Sequence, residues 1–458
     1  MLECAPAGYS IMAQAMMPGH FPPRAARFSN RLRDPSSNPA LWSPMELSFI
    51  ILGAATLCGF LMAFSLGAND VANAMASAVG AKAITLRQAI YIAAALNFVG
   101  AVFLGSHVAA TICRGIINPE VISDQRVLML GMFAALLSSG LWVLIATYTA
   151  LPVSSTHSIV GGILGFGLVA GGPDVVQWWS MAGIVLSWVI SPFFGALVGF
   201  AAFAHIRRTI LYRSDILRAA KFWAPLWVAL TLVIIVLSFC YKTPYGKDMN
   251  LSGWHGILIA IAVAAATIAG MRAYFNKLVG TGGADAKPRA QVDEMFRRMQ
   301  VGTACYVALS QGANDVANAI GPVIAIYFIA TQGSMIGALD VPIWLLVLGG
   351  AGIAAGIACM GYKVMATVGE RITKMNNTRG FAVAFSSATT VLIASNMGLP
   401  VSTTHATVGS VVGVGLARGF HAVDFRVLAR ILLFWVLTVP IAGFSSIVIF
   451  QVLRWTFM

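Results

Sequence analysis

The eight residues Gly-Ala-Asn-Asp-Val-Ala-Asn-Ala occur twice, at Gly67–Ala74 and at Gly312–Ala319, each inside an otherwise apolar stretch. A second word nearly repeats: Leu-Pro-Val-Ser-Ser-Thr-His at Leu151–His157 and Leu-Pro-Val-Ser-Thr-Thr-His at Leu399–His405. The offsets are 245 (312 − 67) and 248 (399 − 151), so a whole half has been duplicated and not a short word. What repeats is polar, carries a carboxylate and lies where lipid should be. That combination points to a substrate path through a membrane.

Composition agrees. Apolar residues make up 59% of the chain and charged residues only 10%, against about 25% charged in a soluble domain. The net charge of +13 is carried by Lys and Arg in short loops between apolar runs, the pattern of the positive-inside rule. No basic patch is interleaved with aromatics, so nucleic acid is not an expected partner; the lipid bilayer is. The six cysteines show no CxxC or metal-ligand spacing and read as small packing residues.

A helix needs roughly 20 apolar residues to cross the hydrocarbon core. Such runs fall near 49–76, 89–113, 127–149, 152–170, 178–204, 218–240, 254–275, 299–328, 342–362, 380–397, 399–417 and 428–452. The fold expected is an all-α polytopic membrane protein of about twelve segments. The two segments that hold the Pro-Val-Ser word are short and rich in Gly, Ser and Thr, as broken or re-entrant helices would be.

Loop charge sets the direction. His205, Arg207, Arg208, Arg213, Arg218 and Lys221 follow the fifth run, Arg272, Lys277, Lys287, Arg289, Arg297 and Arg298 fill the central loop, and Lys363, Arg371, Lys374 and Arg379 follow the ninth. Placing these in the cytoplasm puts both termini outside. The two Asn-Asp words then lie an odd number of crossings apart, so the halves are expected to be inverted repeats. The chain divides into a leader or mis-called start (1–44), a first repeat (45–204), two linking spans with cytoplasmic loops (205–298) and a second repeat (299–458). A multi-pass protein of the cell (inner) membrane is the expected setting, and the sequence leaves open whether copies form a homo-oligomer.

Asp70 and Asp315 are ionisable residues inside apolar spans, where a charge costs about 2.5–3.5 kcal/mol on insertion scales and needs a partner or a task. Asn69 and Asn73 flank the first, Asn314 and Asn318 the second, with Asp and the later Asn on one helical face. Carboxylate and amide oxygens suit Na⁺, or a proton shared with an oxyanion. Pro152 and Pro400 interrupt the incoming helix. Ser154, Ser155 and Thr156, with Ser402, Thr403 and Thr404, then offer hydroxyls and free N–H groups to the next turn. A helix N-terminus aimed at mid-membrane favours an anion, and two brought together suit a tetrahedral oxyanion. His157 and His405 close each word, with a gating, proton-carrying or carbonyl-bonding part open to them. Gly161, Gly165, Gly409 and Gly413, spaced by four, predict close helix packing.

On these residues the chain resembles the inorganic phosphate transporter (PiT) family, whose hallmark is the duplicated Gly-Ala-Asn-Asp-Val-Ala-Asn word together with Pro-Val-Ser-Thr-Thr-His. The resemblance covers nearly everything after Met45. It implies symport of inorganic phosphate with Na⁺ or H⁺ as coupling ion, without a prosthetic group. By position, it implies that Asp70, Asn69, Ser154, Ser155, Thr156, Asp315, Asn314, Ser402, Thr403 and Thr404 contact phosphate or the coupling cation. Glutamates that some animal members carry fall here at Asn97 and Ala384. Two alternatives stand beside this reading: a sulfate permease of similar build, and an intramembrane aspartyl protease using Asp70 and Asp315 as a dyad.

Overall fold

A computed structural model describes residues 44–149, 153–242, 246, 253–281, 287–334, 341–368 and 375–458. The leader, and Pro152 with it, lie outside the described residues. Thirteen α-helices are described: α1 (Pro44–Gly80), α2 (Leu86–Leu104), α3 (Ser106–Arg114), α4 (Gln125–Tyr148), α5 (Ser155–Gly171), α6 (Trp178–Ile206), α7 (Ile216–Lys242), α8 (Gly253–Thr281), α9 (Pro288–Gln332), α10 (Ile343–Val368), α11 (Asn377–Asn396), α12 (Thr403–Leu416) and α13 (Phe425–Phe457). No strand occurs among the described residues.

Local chemistry explains where these helices begin and end. Thr85 and Gln88 form a reciprocal capping box at α2, and Asp124, Asn376 and Asp424 cap α4, α11 and α13. Pro288 occupies the first turn of α9, where its missing N–H costs nothing, and Gly333 ends that helix at φ 74°. Pro192, Pro225, Pro322 and Pro440 sit inside helices, as neighbouring helices allow in a membrane.

Among the described residues, nine helices are long and apolar enough to span a bilayer. Two differences from the expected runs matter. The run at 89–113 breaks at Gly105 into α2 and α3. The Pro-Val-Ser helices are short: α5 has 17 residues and α12 has 14. At 1.5 Å per residue they reach only about 25 and 21 Å, less than the roughly 30 Å hydrocarbon core. Neither is long enough by itself to cross that core.

Packing is done by glycine. α1 lies on α10, and α9 on α2 and α3; α5 lies on α13, and α12 on α6. A Cβ at Gly67 would overlap the Ile353 carbonyl, and one at its counterpart Gly312 would overlap that of Asn97. Gly161 and Gly165 press on the backbone of Val439 and Gly443; Gly409 and Gly413 press on Pro192 and Ala196. The four-spaced glycines are close helix contacts, as expected.

Candidate functional site

The two short helices start at side chains that replace missing backbone partners. Ser154 accepts the His157 N–H at 3.2 Å and Ser402 accepts the His405 N–H at the same distance. The first N–H groups of each helix have no carbonyl one turn back. Ser155 and Thr156 in α5, and Thr403 and Thr404 in α12, carry those donors. The two starts abut: the Thr156 hydroxyl donates to the Val401 carbonyl at 3.0 Å, and the His157 and His405 rings lie 4.5 Å apart.

The Asn-Asp words on α1 and α9 meet these helix starts. Asp70 Oδ2 accepts the Ser155 hydroxyl and Oδ1 the Asn69 amide, both at 3.0 Å. In the other copy Asn314 donates to Asp315 Oδ1 at 2.9 Å, and Thr403, the counterpart of Ser155, stands beside that carboxyl. The later asparagines reach across. Asn73 donates to Thr404 at 3.0 Å and Asn318 to Thr156 at 3.2 Å. Each half thus holds the other half's helix start. All of these residues are buried except Asn73, which is half-buried.

The arrangement is nearly symmetric, and the departures are informative. Both Asp70 oxygens are partnered. Asp315 Oδ2, Asn318 Oδ1 and Gln311 Oε1 are buried without a hydrogen-bond partner among the described residues. Three hard oxygen acceptors left without donors are costly unless something positive meets them. Asn314 also braces the α12 start, donating to the Val401 carbonyl at 2.7 Å and accepting its N–H at 3.3 Å. Ser155 and Thr156 spend their hydroxyl hydrogens on Asp70 and the Val401 carbonyl, while Ser154 and Ser402 only accept at their caps, so an anion would meet backbone N–H groups together with these two cap hydroxyls.

The histidines take the carbonyl-bonding part. His157 Nδ1 lies 3.1 Å from the Trp435 carbonyl and His405 Nδ1 lies 3.1 Å from that of Trp188. The His405 ring stacks on Trp435 with centroids 3.4 Å apart, and Trp188 donates to the Pro400 carbonyl at 3.3 Å. The two tryptophans sit 247 positions apart (435 − 188), between the two offsets of the duplicated words, so the sequence carries this signal outside those words. Gln311 also lies outside them: it donates to the Asp70 carbonyl at 2.7 Å, but Leu66 stands in its place before the first word. Asn97 turns inward on its own helix, donating to the Ala93 carbonyl at 2.9 Å.

Known proteins share this layout. A model of the phosphate transporter family matches residues 66–446, which hold both Asn-Asp words and both short helices. A protein of Pyrococcus abyssi named as a phosphate permease is 49% identical over 411 residues, covering 90% of this chain and 98% of its own. The chloroplastic inorganic phosphate transporter 2-1 of Arabidopsis thaliana is 37% identical, covering 89% of this chain and 73% of its own. Among solved structures, that of a sodium-dependent phosphate transporter aligns with a TM-score of 0.84 at 44% identity, over 89% of this chain and 99% of that one. The matching family and the aligned solved structure are phosphate transporters and not peptidases, which removes the aspartyl protease alternative. With the family match spanning both halves of the site, the chain belongs to the phosphate transporter family and is a multi-pass membrane protein.

Proposed function

We propose that this protein imports inorganic phosphate by symport, with Na⁺ as the coupling ion, between two inverted repeats. One observation carries the reading: two capped helix N-termini abut among buried residues, each held against a carboxylate by its own half and gripped by an asparagine of the other. Phosphate would lie at the N–H groups of Ser154–Thr156 and Ser402–Thr404, where peptide dipoles favour negative charge. A hydrogen of HPO₄²⁻ can face Asp70 or Asp315, a donor that sulfate lacks, and this favours phosphate over sulfate.

Na⁺ is favoured over H⁺ by the orphaned oxygens of Asp315, Asn318 and Gln311, a donor set of the hard-cation type. The sodium dependence named for the aligned solved structure agrees. Asn69, Asp70, Asn73 and Asn314 would complete the cation and proton contacts. Pro400, Pro152, His157 and His405 would hold the helix starts in place. The inverted repeats, taken as 45–204 and 299–458 about the linking spans of 205–298, account for the crosswise contacts, since a pseudo-two-fold axis exchanges Asn73–Thr404 with Asn318–Thr156.

The test is radiolabelled phosphate uptake into proteoliposomes under an imposed Na⁺ gradient, then under an imposed pH gradient, with sulfate as competitor. Accumulation driven by Na⁺ and resistant to sulfate is expected. Uptake driven by the pH gradient alone would replace Na⁺ with H⁺, and competition by equimolar sulfate would favour the permease alternative.

A further inference from the structure

Away from the site, α6 and α7 leave between them a groove of about 510 Å³. Leu197 and Ala201 wall it from α6, Trp223, Trp227 and Leu230 from α7, and Phe385 of α11 contributes to its lining. Apolar grooves face lipid by default, so the informative features are the polar ones and their order. Trp227 Nε1 is buried without a hydrogen-bond partner among the described residues. A buried N–H of this kind is costly to leave unmade and calls for an acceptor from a ligand.

Nearer the end of α6, His205 lies edge-on to the rings of Trp223 and Trp227, at centroid distances of 4.6 and 5.5 Å. Ala201 and His205 follow one another at i and i+4 on α6 and share a helical face, and Arg208 comes three residues further on. Arg208 is exposed and sits in the π-helical turn Arg207–Leu211, a rare geometry often found at functional positions. Arg213 is exposed just beyond, and Asp215 is the one acid between Arg207 and Lys221. Its carboxylate already accepts the Arg218 N–H at 2.9 Å.

Hydrocarbon walls, then a buried N–H donor, then a cationic rim reproduce in order an acyl chain, an ester carbonyl and a phosphodiester. We propose that the groove is a binding site for one anionic glycerophospholipid. One acyl chain lies against Leu197, Ala201 and Leu230, an ester carbonyl accepts from Trp227 Nε1, and the phosphodiester meets Arg208 and Arg213. Basic pockets between helices at the cytoplasmic surface recognise anionic headgroups by this charge match. The lipid would brace α6 against α7, and α6 is the helix on which α12 packs.

The full chain, purified in a neutral detergent and delipidated, would be titrated with dioleoyl phosphatidylglycerol or dioleoyl phosphatidylcholine while thermal unfolding is followed. Native mass spectrometry would count bound lipids. Phosphatidylglycerol is expected to stabilise saturably, one per chain, at a concentration about fivefold or more below phosphatidylcholine, from roughly one cation's worth of surface attraction. Arg208→Gln, an exposed change, should reduce that preference to under about twofold. Trp227→Phe should weaken both lipids alike, and Ala201→Trp should fill the groove and abolish saturation. Equal response to the two lipids, or a preference that survives Arg208→Gln, overturns the proposal. So does dimerisation that Ala201→Trp abolishes without any lipid effect, which would give the groove to a second copy. No arm uses phosphate transport, so this result is independent of the proposed function.

Discussion

Asn73 on α1 donates to Thr404 on α12 at 3.0 Å, although 331 positions separate them. The reciprocal contact, Asn318 to Thr156 at 3.2 Å, makes the same link with the halves exchanged. These are the contacts that hold each short helix start against the Asn-Asp word of the opposite half.

That reciprocity predicts matched losses. Asn73→Ala and Asn318→Ala should each slow phosphate uptake. Paired with Thr404→Val and Thr156→Val in double-mutant cycles, each pair should show a coupling of about 0.5–1.5 kcal/mol, the size of one net hydrogen bond. Independent, additive effects in the unfolding cycles would mean that the contacts do not hold the helix starts.

The carboxylates carry a stronger expectation. Asp70→Asn removes a charge that accepts from Ser155 and Asn69, and Asp315→Asn removes one that accepts from Asn314 and whose second oxygen is itself orphaned. Charge-assisted hydrogen bonds are worth about 1.5–3 kcal/mol, or roughly tenfold to a hundredfold in an equilibrium. Accumulation should fall by at least that much while folded protein remains in the membrane. Near wild-type accumulation by either variant would remove that residue from the site.

How much of this could be read from the chain depends on what each residue needs. Asp70, Asp315 and the two Ser/Thr words announce themselves because polar residues in apolar spans require a reason, and the duplication gives them one. Helix starts at Ser154 and Ser402 follow from capping chemistry alone. The break at Gly105 is hard to read, since no proline marks it and Ser106 and His107, the polar pair that follows, are short enough to pass within an apolar run. Gln311 is illegible for a different reason: it stands in one copy only, and its partner is a backbone carbonyl that no side-chain pattern betrays. Trp188 and Trp435 are legible at the right offset, but tryptophan in a span reads first as lipid-facing or packing.

The glycine contacts give a test of packing independent of transport. Gly67→Ala and Gly312→Ala would drive a methyl into the carbonyls of Ile353 and Asn97, and overpacking of this kind costs about 1–3 kcal/mol. Both should lower the thermal unfolding midpoint in detergent. Gly53→Ala, where nothing lies within 4 Å, should not lower it. A fall at Gly53 equal to that at Gly67 would show that the crossing of α1 and α10 is not the sensitive feature.

The asymmetry between the two carboxylates predicts a cation dependence. If Asp315 Oδ2, Asn318 Oδ1 and Gln311 Oε1 receive Na⁺, Gln311→Leu should raise the Na⁺ concentration for half-maximal uptake by about fivefold to tenfold, the loss of one oxygen ligand worth about 1–1.4 kcal/mol. Leu is the natural choice because Leu66 fills the equivalent place in the first copy. An unchanged Na⁺ dependence would move the cation elsewhere.

The central claim is that one tetrahedral anion sits between the starts of α5 and α12. Arsenate, a tetrahedral oxyanion of the same charge, makes this directly visible by anomalous scattering at the arsenic edge from crystals grown with Na⁺. One peak is predicted within hydrogen-bonding reach of the backbone N–H groups of Ser155–Thr156 and Thr403–Thr404, lost when phosphate is added in excess. A phosphate-displaceable peak anywhere else, with none between these two helix starts, would contradict it.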